Sequence, residues 1–507
     1  MTMQVLRWPG TVAAVLVAAL VLGPLLALRP GAGPISAADW AADWAAVRFT
    51  LTQAALSALV SALLAVPLAR ALARRRFPGR GAFIRLLGAP FLLPVIVAVH
   101  GLLALFGRAG GINQGLEAAG LPVFSIYGLH GVVLAHVFLN LPLVTRILLQ
   151  GWAAIPVERF RLAAALGAPV GPLLERPMLR ERLPGAVLVV FLICLTSFAV
   201  ALTLGGGPRA TTVELAIYQA LRFEFDPAQA ARLALLQLGL CLVAALAVWR
   251  TTLPTGFGGG LDRALPQWAL PHGRLQDAAI IVAAALFLLV PLALIISRGL
   301  AGVDDIPAGA MAAMLRSVLV ALAAMVLAVA AALALALRGG ALADLAASLP
   351  LAVSSLVLGA GLFALLVPLT PPSNLALPLT ALVNAAMALP FAWRLLAPAV
   401  AAAESAHGRL ATTLGLTGWA RLRVLTLPRI RPALGLAAGL AAALSMGDLG
   451  IITLFAGAEA PTLPLLMRGL MGAYRIQAAS GVGLLLVALT FGLFWVCDRW
   501  GARHAQA

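Results

Sequence analysis

Apolar residues in this chain fall into long blocks separated by short polar or arginine-rich stretches. A membrane-spanning helix needs roughly 20 mostly apolar residues. Windows of that kind fall near 11–29, 50–71, 86–106, 129–149, 184–204 and 233–249. A second six fall near 278–297, 313–337, 350–369, 379–397, 433–455 and 480–497. The pattern predicts an all-α polytopic membrane protein of about 12 transmembrane helices. The first window is short and follows Arg7, a layout that also describes a signal peptide. A retained helix is the preferred reading, because the next span then leaves Arg70, Arg74, Arg75, Arg76, Arg80 and Arg85 on the inner side.

Composition agrees and narrows the chemistry. Of 507 residues, 62% are apolar and 10% charged, whereas soluble proteins carry about 25% charged residues. A soluble enzyme with one membrane anchor is excluded, since the apolar excess runs from end to end. All 35 basic residues are Arg, with no Lys. A phosphate-cradling G-x-x-x-x-G-K-[ST] loop and a Schiff-base lysine are therefore both ruled out. Cys194, Cys241 and Cys497 lie far apart in apolar stretches and signal neither a disulfide framework nor a metal site. With both termini cytoplasmic, the inner segments and adjoining helix ends hold 25 Arg and 8 acids, against 10 Arg and 10 acids outside. The whole formal excess of +17 then sits on one face. The positive-inside rule accounts for it, and nucleic-acid binding is not needed.

The chain also repeats itself. Arg161–Gly167 matches Arg409–Gly415 at five of seven positions, 248 residues apart. The same offset pairs Leu141-Pro142 with Leu389-Pro390 and Arg146 with Arg394, while Pro90 and Gly101 pair with Pro350 and Gly361 at an offset of 260. Self-similarity in register implies two copies of one unit. The expected layout is a first half over 1–250, a cytoplasmic linker over 251–277 and a second half over 278–507. Six spans per half put both copies in the membrane in the same direction, related by a pseudo-twofold axis along the membrane normal.

The repeated heptapeptides lie in two long cytoplasmic loops, about 156–183 and 398–432. Each reads as a short helix, a glycine turn, a second short helix and a proline at the start of the next span. This resembles the coupling loop of ABC-importer permeases, E-A-A-x-x-x-G followed by nine residues and I-x-L-P. In the second copy Gly415 stands ten residues before Leu425 and thirteen before Pro428. The family's Glu is replaced by Arg161 and Arg409, and the first loop is about three residues shorter, with Pro177 ten residues after Gly167. The resemblance implies a type I ABC-importer permease-like fold. It also implies docking on an ATPase subunit through Arg161, Ala163, Ala164, Gly167, Arg409, Ala411, Gly415, Leu427 and Pro428.

A narrower resemblance, to thiamine ABC-transporter permeases, lies in Ser197–Pro208, Thr211–Leu221, Phe225–Ala231 and Ser445–Gly450. Ferric-iron permeases share the fused halves and related loops, so the thiamine reading rests on the segments 197–231 and 445–467. It implies uptake of thiamine and its phosphate esters across a bacterial inner membrane. The implied partners are a periplasmic solute-binding protein, two copies of a cytoplasmic ATPase, and membrane lipid. No cofactor or metal is expected in this chain, ATP being used by the partner, and no nucleic acid. The chain is read as a transport subunit and not an enzyme. A ferric-iron or other small-solute permease and a twelve-span secondary transporter are the alternatives.

Asp448 is the only acid assigned to the interior of a span, about fifteen residues and roughly 22 Å past Pro432. A carboxylate at that depth costs about 2.5–3.5 kcal/mol to insert and calls for a polar surrounding. It either meets the thiazolium cation of thiamine or caps a helix loosened by Gly447 and Gly450. Phe198, Phe391 and Trp393 could meet a cation through their ring faces or serve as packing and interface anchors. Ser197 and Ser445, within the resembling stretches, complete the candidate path. His100 and His136 fit interhelical hydrogen bonds or, as a distant alternative, a haem.

Overall fold

The computed structural model describes residues 4–29, 36–205, 207, 210–251, 273–457 and 460–502. Most of the expected linker, 252–272, lies outside the described residues. In the first half the principal helices are α1 (Gln4–Ala27), α2 (Ala37–Arg74), α3 (Val95–Phe106), α4 (Leu129–Ala154), α5 (Val157–Ala165), α6 (Arg176–Leu195), α7 (Ala199–Leu204), α8 (Val213–Arg222) and α9 (Pro227–Trp249). In the second they are α10 (Arg274–Ala301), α11 (Ala310–Arg338), α12 (Ala341–Ser348), α13 (Ser355–Leu366), α14 (Ala376–Thr413), α15 (Leu427–Met446), α16 (Gly450–Phe455), α17 (Leu463–Gly472) and α18 (Ile476–Ala502). Among the described residues there is no strand. Among the described residues ten helices are long and apolar enough to span a bilayer, and two bent pairs raise the number to 12.

Several boundaries differ from the hydropathy windows for local reasons. The helix expected over 50–71 begins at Ala37, because Ser36 caps it by accepting from Asp39 N at 3.1 Å. Its buried Asp43 is paired with Arg232 on α9 at 2.6 Å. The spans expected over 184–204 and 350–369 are bent, by 60° after Leu195 and by 90° before Ser355. The span expected over 433–455 is interrupted between Met446 and Gly450. The loop expected over 398–432 is largely helical, because α14 runs on to Thr413 and α15 starts at Leu427. In the first half Pro156 ends α4, lacking an N–H and restricting the residue before it. Glu404 stands 248 residues on, so α14 meets no such stop.

Helix lengths repeat between the halves. α6 and α15 are both 20 residues long, each following a five-residue π-helical turn, Gly171–Glu175 and Leu422–Thr426. Each leads across a break into a six-residue helix, and then into the ten-residue α8 or α17. Both ten-residue helices are pinned alike: Val213 N donates to Thr50 Oγ1 at 2.9 Å and Leu463 N to Ser317 Oγ at 2.8 Å.

Packing crosses the sequence halves. α1 lies on α11, α12 and α13, whereas α10 lies on α2 and α3 as well as α18. One buried cluster accordingly joins α2, α3, α4 and α6 to Ala284, Leu288 and Ile295 of α10. A second joins α12, α13 and α14 to Ala14, Val17 and Val21 of α1. The paired glycines of the repeat mark where these crossing helices seat. A Cβ on Gly101 would meet Ile295 Cδ1 at 2.7 Å and Pro291 O at 3.0 Å, and one on Gly361 would strike Pro24 O. Gly361→Leu should therefore lift α1 off its seat at a cost of roughly 1–3 kcal/mol, the usual range for overpacking. The melting temperature of the purified chain should fall. Gly492→Leu, where the Cβ position is open, should leave it unchanged. Equal melting of the two variants would show that α1 does not depend on Gly361.

Candidate functional site

The two heptapeptide loops fold to one local design. Gly167 and Gly415 take φ of +61° and +69°, in the left-handed region that favours glycine. Ala168 N donates to Ala163 O at 2.8 Å and Leu416 N to Ala411 O at 2.9 Å, closing each helix end in the same way. Ala163 and Ala411 are buried beneath these turns, whereas Arg161, Ala164 and Arg409 are exposed. Leu427 and Pro428 form the first turn of α15, Leu427 half-buried and Pro428 exposed. The three-residue difference falls between glycine and π-turn, residues 168–170 against 416–421, and adds the helical turn Gly418–Arg421. Buried Arg421 staples the second loop internally, through Glu404 and towards Gly408 O (3.3 Å) and Thr412 Oγ1 (3.4 Å). The first loop is held to α2 instead, by Arg70 and the buried Glu175 at 2.9 Å. Leu162, Leu166 and Leu173 stay exposed on one loop, and Leu410, Leu414, Trp419 and Val424 on the other.

Two cavities lie between the halves. The larger, about 560 Å³, sits towards the loop-bearing face among α4, α14, α15, α18 and the segment 82–92. Arg85 and Arg146 line it and no carboxylate does. The smaller, about 280 Å³, is lined by Thr196, Ser354, Ser355, Asn384, Phe391 and Asp448 among apolar neighbours, with no arginine. Phe91 of the larger cavity and Phe391 of the smaller meet edge to face, ring centroids 6.0 Å apart.

Asp448 stands in the break between α15 and α16, a correction to its expected place within a helix. Its Oδ1 accepts from Gly450 N at 3.1 Å, and its buried Oδ2 has no hydrogen-bond partner among the described residues. Asn384 donates to Ser445 Oγ at 3.0 Å beside it. Ser197 belongs to the other half's break, where His136 Nε2 and Ser197 Oγ are 2.8 Å apart. Phe198 is buried against Tyr218, edge to face at 5.4 Å. Trp393 packs on the second buried cluster, its indole N–H without a partner among the described residues, and lines neither cavity. The candidates are therefore not one cluster: Asp448 and Phe391 line the smaller cavity, Ser445 and Ser197 support the breaks, and Phe198 and Trp393 stand apart.

His136 also meets Ser57 Oγ at 3.1 Å through Nδ1, so both ring nitrogens are engaged by serines. His100 Nε2 is 2.8 Å from Ser480 Oγ. These are the interhelical hydrogen bonds of the first reading. Sequence reasoning missed Asn384, Ser354, Ser355 and Arg146 as cavity residues, although the offset of 248 pairs His136 with Asn384 and could have exposed the latter. It also missed a buried acid that has no ion-pair partner among the described residues. Glu214, in the first turn of α8, is fully buried beside Ser354 and Gln237.

Comparison with known proteins adds independent information. No protein-family model matches the chain. It is 41% identical over 449 residues to the thiamine transport system permease protein ThiP of Brucella abortus, covering 85% of this chain and 83% of the relative. It is 38% identical over 460 residues to ThiP of Escherichia coli K12, covering 85% and 84%. Over 177 residues, 33% of this chain and 65% of the relative, it is 36% identical to the molybdenum transport system permease protein ModB of Mycobacterium bovis.

Proposed function

The chain belongs to the family of thiamine transport system permease proteins, and from that membership we propose that it is the membrane-spanning subunit of an ATP-driven thiamine importer. It is a multi-pass protein of the bacterial inner membrane and a transport subunit. Both termini and both heptapeptide loops face the cytoplasm, where the exposed leucines, Val424 and Trp419 dock on two copies of a separate ATPase. Exposed apolar side chains repeated on two arginine-rich loops support this, because such patches mark interaction sites. A periplasmic binding protein delivers the solute to the opposite face.

The observation that carries the reading is the buried Oδ2 of Asp448 in the smaller cavity, which has no hydrogen-bond partner among the described residues. A carboxylate held away from water attracts a permanent cation strongly, and thiamine carries one in its thiazolium ring. Arg85 and Arg146 then disfavour the cation in the larger cavity, which suits release on that side. The same two arginines favour a second cargo, the phosphate esters of thiamine, whose anionic groups they can bind. The test is uptake by proteoliposomes containing this chain and its ATPase. Binding protein and thiamine are supplied to one face and ATP to the loop-bearing face. Uptake should require all three components. Uptake that persists without the ATPase would make the chain a secondary transporter, and no uptake of thiamine with all present would end the assignment.

A further inference from the structure

Two of the described residues other than glycine take left-handed backbone, Phe225 at φ of +54° and Tyr474 at +58°. They hold equivalent places in the two halves. Phe225 lies in the turn between α8 and α9 and Tyr474 in the turn between α17 and α18, each two residues before the next span, at Pro227 and Ile476. The residue after each closes its turn, Asp226 N donating to Ala220 O and Arg475 N to Leu470 O, both at 2.9 Å. Gly501, at the far end of α18, abuts Gly435 near the loop-side start of α15. Tyr474 therefore stands on the face opposite the heptapeptide loops, and the repeat puts Phe225 there too.

The heptapeptide loops use the same backbone state at Gly167 and Gly415, where glycine adopts it freely. An aromatic residue in that state costs roughly 1–2 kcal/mol. Packing within the chain does not offset it. At 79% and 89% exposure, Phe225 and Tyr474 are the most exposed Phe, Tyr or Trp side chains among the described residues. Exposed aromatic rings are the usual anchors of a protein interface, and here one is held out at a cost on each half. Their neighbours differ in charge. Glu224 and Asp226 flank Phe225, Arg475 follows Tyr474, and all three are exposed. Asp226 caps α9 through Ala228 N and Gln229 N, whereas Glu224 and Arg475 are in no ion pair among the described residues. Lipid is a poor occupant, because anionic headgroups are repelled by the carboxylates on either side of Phe225. Equivalent sites with opposite charges suit one macromolecule that presents a basic patch to the first half and an acidic patch to the second.

We propose that Phe225 and Tyr474 are the paired anchors on which the solute-binding protein docks, and that Glu224 and Arg475 fix which side of it meets which half. The rings give grip on both halves at once, so the partner sits across their junction. The opposite charges remove the twofold ambiguity that two like anchors would leave, so the solute is presented in one orientation. This inference rests on the importer reading above.

The test uses the complete transporter in proteoliposomes and varies the concentration of thiamine-loaded solute-binding protein from the same organism. Phe225→Gly and Tyr474→Gly remove a ring and relieve the backbone, so neither should lower the melting temperature of the purified chain. Each should raise the binding-protein concentration for half-maximal uptake about tenfold, the usual scale for an aromatic anchor. Glu224→Arg and Arg475→Glu should each raise it about threefold at low salt and less at high salt. An unchanged half-saturation in either glycine variant would overturn the paired anchors, and in both charge reversals it would overturn the orientation. Lost insertion into vesicles with half-saturation unchanged would make the rings membrane anchors instead. A wild-type complex that takes up no thiamine at any binding-protein concentration would overturn the functional reading and this inference with it.

Discussion

Asp448→Asn should slow thiamine uptake about ten- to hundredfold while the assembled transporter remains intact. The substitution is clean because of how the carboxylate is used. Its Oδ1 serves the chain by accepting from Gly450 N, and the amide oxygen of Asn can do the same. Its Oδ2 is buried with no hydrogen-bond partner among the described residues. Replacing that oxygen with NH₂ removes the charge and leaves shape and cap in place. A hydrogen bond to a charged group is worth roughly 1.5–3 kcal/mol, which is the rate loss stated if the contact stabilises the limiting step. The neutral thiophene analogue should lose much less. Wild-type uptake by Asp448→Asn would leave the residue as a cap alone, and equal losses for both substrates would assign it to conformation.

Gly415→Val should abolish most of the solute-stimulated ATP hydrolysis by the assembled transporter, and Gly167→Val should be damaging as well. A β-branched residue at φ of +61° or +69° is a severe outlier, costing roughly 1–3 kcal/mol. Nothing lies within 4 Å of a Cβ at either position, so the penalty is backbone strain without a clash. The two turns have the same conformation and closing bonds, which makes the strain equal. The consequence should still differ, because the second loop is braced internally by Arg421 and the first is tied to α2 through Arg70 and Glu175. Co-purification of the ATPase separates lost docking from lost coupling. Normal stimulated hydrolysis in both variants would remove these glycines from the coupling machinery.

Much of this molecule was legible without its structure because the relevant physics is local. A bilayer imposes a length and polarity on each span wherever it lies in the chain, and the charge bias needs only a count. The glycine turns were legible because a left-handed residue at a helix end leaves a mark in the sequence. The cavity residues were not. Asn384 and Ser354 are ordinary polar residues in apolar stretches, and only the meeting of α14 with the break before α13 puts both beside Asp448. Glu214 sits in a short helix whose surroundings come from α9 and the far half, so nothing nearby announces its burial.

Register shows the division most plainly. The offset of 248 that relates the heptapeptides would pair Ser197 with Ser445. The turn Gly418–Arg421 lengthens the second loop, so α6 and α15 are related by 251 residues and Ser197 is the mate of Asp448. The sequence by itself determined the spans, the repeat and the loop turns, since each depends on a few consecutive residues and their solvent. Only the tertiary structure decided that α1 and α10 cross to the opposite halves, and that Asp448 caps α16 while its Oδ2 has no hydrogen-bond partner among the described residues. Those facts depend on which distant surfaces fit together, and apolar helices of similar composition carry too little local information to choose among partners.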